Sequence, residues 1–262
     1  MFEFFYDLPL VISGLLIVGL LGLFAVTGMA LVRRHILPLL RIPATDSEFT
    51  GAMVQAVMVF YGLAVALIAV NVFETYSDVS KIVSQEAAAL AGLYRDASGY
   101  PEPVRPQLQK ELRDYAQFVI HTAWPAQQRG RVETGGVEMM NRFQKTLIAF
   151  EPVTEGQILL HGEALRAYNR LIEVRRLRLD AAHTGLPSMM WVVIVLGAII
   201  SLSSSFFFKV EDGRLHGILV KLLAAFMGLI IFMIFALDHP FRGELGVSPE
   251  PYQLIYDQLM KP

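Results

Sequence analysis

The sequence predicts an all-α protein with four transmembrane helices and a helical extra-membrane region, the second span continuing as a long helix beyond the bilayer. Three observations predict it. The 262 residues are 54% hydrophobic with a mean hydropathy of +0.48, more apolar than an ordinary soluble domain. Four stretches approach the roughly 20 apolar residues that a crossing helix requires. Between the second and third of these, Glu74 to Leu186 has no span-length apolar run and no useful strand-like alternation.

The first span is Leu8 to Val32, uncharged, rich in Leu, Val and Gly, and followed at once by Arg33, Arg34 and His35. A signal peptide is the rival reading, but the stretch is longer than an h-region and its flank, MFEFFYD, is acidic where a basic one is expected. A short connection, Arg33 to Thr50, contains Pro38, Pro43 and Arg41.

The second span, Gly51 to Phe73, carries no charge, and polar residues then arrive without a break. Asn71, Glu74, Asp78, Lys81 and Gln85 follow one another at three or four residues, so they share one helix face. No Gly or Pro falls between Gly62 and Gly92, so a single helix is predicted to leave the bilayer and run on. SGYPEP, Ser98 to Pro103, ends it.

Further helices follow. Val104 to Ala123 places Leu108, Leu112, Tyr115, Phe118 and Val119 at helical spacing, and Trp124-Pro125 is predicted to stop it. Val137 to Phe150 is amphipathic. The next helix starts at Thr154, where Thr154 with Gln157 fits a capping box, and runs to about Ala182. The third span is Ser188 to Phe208, with Trp191 at one interface and Phe206, Phe207 and Phe208 at the other. The fourth is Leu215 to Leu237, interrupted by His216 and Lys221 and closed by Asp238. The resulting organisation is 1–50 for the first span and its basic loop, 51–97 for the second span with its extension, 98–186 for the helical region, 187–237 for spans three and four, and 238–262 for an amphipathic tail.

Composition excludes several function classes. Net charge is −2, so no basic surface argues for nucleic acid. There are no cysteines, which removes disulfides, thiolate metal sites and cysteine nucleophiles. The six histidines form no metal-ligand spacing, and no Walker, nucleophile-elbow or H-E-x-x-H pattern occurs, so neither a metal, a cofactor nor a catalytic residue is expected.

Four crossings place both ends on the side of the helical region. That gathers Glu74, Asp78, Arg175, Arg176, Arg178, Asp238 and Arg242 at one face. The short-loop residues Arg33, Arg34, Arg41, Lys209 and Arg214 lie at the other, which leans toward the helical region being outside.

Glu74 and Asp78, one turn apart beyond the apolar run, are the candidate mouth of an ion pathway. In a symmetric oligomer they repeat as rings that favour cations. The bland alternative is the solvated start of a helix. Gln55, Gly62, Ala66, Ala69 and Asn71 are candidate wall residues, with helix packing through the small ones as the alternative. Arg175, Arg176 and Arg178 form a candidate juxtamembrane patch, on which Asp238 and Arg242 are expected to close and to which anionic lipid headgroups could bind.

Three segments carry a resemblance: FTGAMVQAVMVFYGLAVALIAVNVFETYSDVSKIVSQEAAALAGLYRDA, EVRRLRLDAAHTGLPSMMW and ALDHPFRG. The chain resembles the bestrophin-like domain family of multi-pass bacterial membrane proteins over nearly its whole length. It is more weakly similar to the bestrophins, pentameric ion channels, along the second span and its extension. Tyr76 and Arg95 fit that comparison, while an Arg-Asn pair and a Trp of the bestrophin stretch have no counterpart. The resemblance implies cytoplasmic helices, against the lean of the charges, so orientation stays open. The reading is a homo-oligomeric, channel-like protein of the cell inner membrane, contacting lipids and conducting small ions, cations first. A non-conducting sensor or scaffold whose helical region binds a partner is the alternative.

Overall fold

The structure, a computed structural model, describes residues 8–39, 47–208 and 212–261. Among these there is no strand. The helices are α1 (Leu10–Leu31), α2 (Ser47–Ser98), α3 (Val104–Phe118), α4 (Trp124–Gln128), α5 (Gly135–Ile148), α6 (Glu155–Ala181), α7 (Ser188–Ser205), α8 (Gly213–Asp238) and α9 (Glu250–Ile255). Four of them are long and apolar enough to cross a membrane: α1 with the π-helical turn after it, α2, α7 and α8. Arg41, Lys209 and residues 1–7 lie outside the described residues.

The chain divides into two units. Met1–Glu74 and Gly185–Asp238 form the first, Thr75–Thr184 and His239–Pro262 the second. α2 contributes to both and is continuous over 52 residues, about 78 Å of rise. It ends at Ser98, where SGYPEP predicts its end.

In the first unit α1 packs mainly along α8, and α7 lies against both. Lipid tails are as apolar as Leu, so such helices associate through close packing. Gly228 on α8 provides it: a β-carbon there would come within 3.0 Å of the Val18 Cα on α1. Gly197 likewise makes room for the Tyr61 ring, whose hydroxyl donates to the Ile194 carbonyl at 3.2 Å. Several polar groups in this unit find partners within it, as a hydrocarbon environment favours. Arg33 Nη2 donates to Nδ1 of the buried His216 (2.8 Å), which leaves Nε2–H to donate to the Ser205 carbonyl (3.0 Å). Ser204 and Ser205 bond back to the carbonyls of Ser201 and Leu202.

Two residues expected near the membrane interfaces have side chains covered within the chain. Trp191 is not an exposed belt residue: it is 9% exposed, packs edge-on against Phe235 and donates from Nε1 to Asp238 Oδ2 at 3.3 Å. Phe206 is 2% exposed, packed in the bundle beside Phe24 and Gly28. Both side chains pack against neighbouring helices of this unit.

The second unit is an all-α core around the C-terminal half of α2. Val83, Leu90, Leu93, Leu108, Leu112, Phe143, Leu147 and Leu171 are fully buried. α6 opens on the predicted capping box, Thr154 accepting from the Gln157 N–H while Gln157 reaches back. Trp124-Pro125 does not stop the helix it follows. The turn Val119–Ala123 widens to π, and Pro125 then sits in the first turn of α4, where a missing N–H costs nothing. The chain leaves at Gly130, whose φ of +73° suits glycine. The tail is part of this core: Phe241, Val247, Tyr252 and Met260 are buried in it.

Candidate functional site

In each unit, the residues of α2 from Gly51 on have one covered face and one bare face. Val54, Val65 and Val72 are buried in the first unit, and Val79, Val83, Glu86, Leu90 and Ala97 in the second. At about 100° per residue these lie on one side of the helix. Opposite them, in register with Glu74, fall Ala56, Phe60, Leu63, Leu67 and Val70 toward the start, and Asp78, Lys81, Gln85 and Ala88 toward the end. All of these are exposed, the four large apolar ones between 55 and 73%.

Both proposed mouth residues are therefore on the bare face. They differ in charge state. Asp78 pairs with Lys81 at 2.8 Å, both about two-thirds exposed, a contact worth little energy but one that offsets the acid. Glu74 enters none of the ion pairs among the described residues and is the uncompensated charge of the stripe.

The expected wall residues separate. Asn71 is exposed and within about 60° of Glu74 around the helix. Gln55, Gly62, Ala66 and Ala69 lie roughly 80 to 140° away from it, too far round to share its stripe. Gly62 and Ala66 line an apolar cleft of about 190 Å³ with Leu223, Phe226 and Ile230 of α8, and Ala69 is half-buried against the first unit's core. Sequence reasoning selected small residues for close approach. The large exposed residues in helical register with Glu74 are Phe60, Leu63, Leu67 and Val70.

The expected basic patch also divides. Arg176 is exposed, whereas Arg175 and Arg178 are buried in the second unit. Arg178 donates from Nε to Glu86 Oε2 at 2.5 Å, from Nη2 to Glu86 Oε1 at 3.3 Å and from Nη1 to Gln127 at 2.9 Å, with its guanidinium 5.7 Å from the Trp124 ring centre. Tyr115 adds its hydroxyl to Glu86 at 3.0 Å. Burial, with the Glu86 carboxylate adding, pushes the Tyr115 and Tyr252 phenols well above their ordinary range. Burial alone would lower Arg178, but the carboxylate beside it holds it firmly protonated. Asp238 serves the first unit, accepting from the Leu186 N–H (2.5 Å) as well as from Trp191. Arg242 lies over Gly130, where a β-carbon would collide with its guanidinium. Glu86 was missed from sequence. The available signal was a charge in the apolar row Val79, Val83, Leu90, answered by Arg178 in the row Leu171, Val174.

No group of three or more potential metal ligands occurs among the described residues. Four apolar helices, one running on into a helical unit with an acidic bare face, define a multi-pass helical membrane protein. The chain belongs to the Bestrophin-like domain family, whose sequence profile matches residues 19–252. Solved structures share the fold. A crystallised variant of a membrane protein matches with a TM-score of 0.72 at 9% identity, over 95% of this chain and 99% of that one. A variant of a bacterial bestrophin homologue from Klebsiella pneumoniae matches with a TM-score of 0.65 at 9% identity, over 94% and 98%. No curated protein matches the sequence.

Proposed function

We propose that copies of this chain assemble around an axis in the cell inner membrane and conduct small ions, cations ahead of anions. The observation that carries this reading is the bare face of α2. A single chain covers the opposite face from Val54 to Ala97, and the bare one changes from apolar to acidic just past the span. Facing its symmetry mates, that stripe makes an apolar constriction from Phe60, Leu63, Leu67 and Val70, and then a ring of Glu74 with Asp78 behind it. The bestrophin homologue with the same fold supports the reading.

Purified protein in a planar bilayer tests it. Unit currents are expected, with a cation-to-anion permeability ratio that falls in Glu74→Gln/Asp78→Asn. Because Lys81 offsets Asp78, Glu74→Gln alone is expected to produce most of the fall. Silence, or a monomer in detergent, overturns conduction.

A non-conducting scaffold has one observation in its favour. Ile148, Val153, Ile158 and Leu159, at the junction of α5 and α6, are between 55 and 87% exposed. Silence in the bilayer together with stoichiometric capture of a partner through this patch would support that reading instead.

A further inference from the structure

Arg175 is a buried cation without a counter-charge. It is 9% exposed, its Nε is shut off from solvent without a hydrogen-bond acceptor, and it enters none of the ion pairs among the described residues. Arg178, almost one turn on, holds Glu86 and Gln127. The fold makes a place for Arg175 nonetheless: Gly136 has no side chain where the guanidinium lies, and a β-carbon there would come within 3.0 Å of Nη2. The guanidinium has no acceptor within the protein, so its N–H groups are available to a ligand that enters beside it.

The guanidinium lines an open cavity of about 290 Å³ between α5 and α6. Asn141, Gln144 and Asn169 also line it, together with Tyr168, whose hydroxyl is already donated to the Met140 carbonyl, and Val137, Met140 and Ile172 supply apolar surface. We propose that this cavity binds a small organic carboxylate. A single guanidinium matches a carboxylate in charge and in the spacing of its two oxygens, whereas phosphate, closer to two charges, usually draws more than one cation. Amides both donate and accept, so the three around the rim suit a ligand with a hydroxyl, amino or amide group beside the carboxylate. The cavity lies wholly within the second unit, so the site stands or falls independently of conduction.

The test uses the full chain in detergent, titrated with sodium acetate, lactate and L-glutamate against sodium chloride at equal ionic strength, with inorganic phosphate as a separate arm. At least one carboxylate is expected to raise Tm saturably. Arg175→Met is expected to unfold no earlier than the parent without ligand, because it removes an unpaired charge, and to lose the ligand-induced rise. Asn169→Ala, at an exposed position, is expected to weaken binding about tenfold without changing the ligand-free Tm. Arg176→Gln, the same charge change at the exposed neighbour, is expected to leave binding intact. No shift with any carboxylate, an equal shift with phosphate, or a shift that survives both Arg175→Met and Asn169→Ala overturns the proposal.

Discussion

Arg178 Nε stands 2.5 Å from Glu86 Oε2, with the two side chains 2% and 0% exposed. Desolvating both charges is costly, and the attraction between them offsets it only because Tyr115 and Gln127 occupy remaining hydrogen-bonding positions. Removing one partner leaves the other buried alone. Glu86→Ala or Arg178→Ala is expected to destabilise the protein by about 3 to 5 kcal/mol. The double replacement Glu86→Leu/Arg178→Met should recover most of that loss, as followed by thermal unfolding of the helical signal in detergent. A double variant no more stable than the singles would mean that the pair's contribution is not one of charge compensation.

The buried phenols give a pH dependence of definite sign. Burial pushes Tyr100 up to about 12, with Asp96 adding, and also raises Tyr115 and Tyr252. A raised folded pKa means that the unfolded chain loses its phenolic protons first, near 10. Their contribution to stability is therefore complete below about pH 10 and is lost as pH rises through the folded values. Stability should fall above that pH by up to about 1.4 kcal/mol per pH unit for each such tyrosine. Tyr115→Phe should show a shallower fall at high pH while starting lower, because it also loses the Glu86 hydrogen bond, worth about 1.5 to 3 kcal/mol. Unfolding midpoints measured across pH 8 to 11, as an order-of-magnitude window around that phenol pKa, check both parts.

The sequence made the helices legible and the faces less so. Span lengths follow from uncharged runs, and the Thr154–Gln157 cap from a local pattern whose partners are three residues apart. The burial of Trp191 and Arg178 was not legible, for a shared reason. Each looks like a boundary residue by composition, and each is held inside by a group distant in sequence, Asp238 for Trp191 and Glu86 for Arg178. Pairings across 47 and 92 residues leave no local signature. That Glu74 and Asp78 share one exposed face was readable because a stripe at three and four residues is a local property. Phe60, Leu63, Leu67 and Val70 lie in register with that stripe and were readable in the same way, by spacing rather than by residue size.

Two glycines separate packing from mere permissiveness. A β-carbon at Gly228 meets Val18 backbone at 3.0 Å, which cannot swing aside, whereas one at Gly62 meets nothing within 4 Å. Gly228→Val is expected to cost about 1 to 3 kcal/mol by forcing α1 from α8. Gly62→Ala should be neutral in stability, and its small gain in helix propensity should not exceed about 1 kcal/mol. Detergent-resistant folding assayed by thermal aggregation should rank parent and Gly62→Ala together above Gly228→Val. The reverse order would show that α1 and α8 approach along a different line.

The apolar stretch of the bare face makes the sharpest demand on the conduction reading. Leu63 and Leu67, 59% and 65% exposed, lie in register with Glu74 and would ring a constriction narrow enough to exclude water. Replacing either with Ser leaves the covered face of α2 untouched, so the fold should hold. A polar ring stays wet where an apolar one dries, so Leu63→Ser and Leu67→Ser are expected to raise the conducting fraction several-fold. Leu222→Ser on α8 is the control. It is 62% exposed and removes the same side chain from a different helix, so it should leave the currents unchanged if that surface meets lipid. Single-channel recordings of the three variants under one ion gradient distinguish the outcomes. Increased opening confined to the α2 variants puts that face on the axis. An equal effect from Leu222→Ser, or none from Leu63→Ser and Leu67→Ser, would turn the bare face of α2 toward lipid and remove the pathway from it.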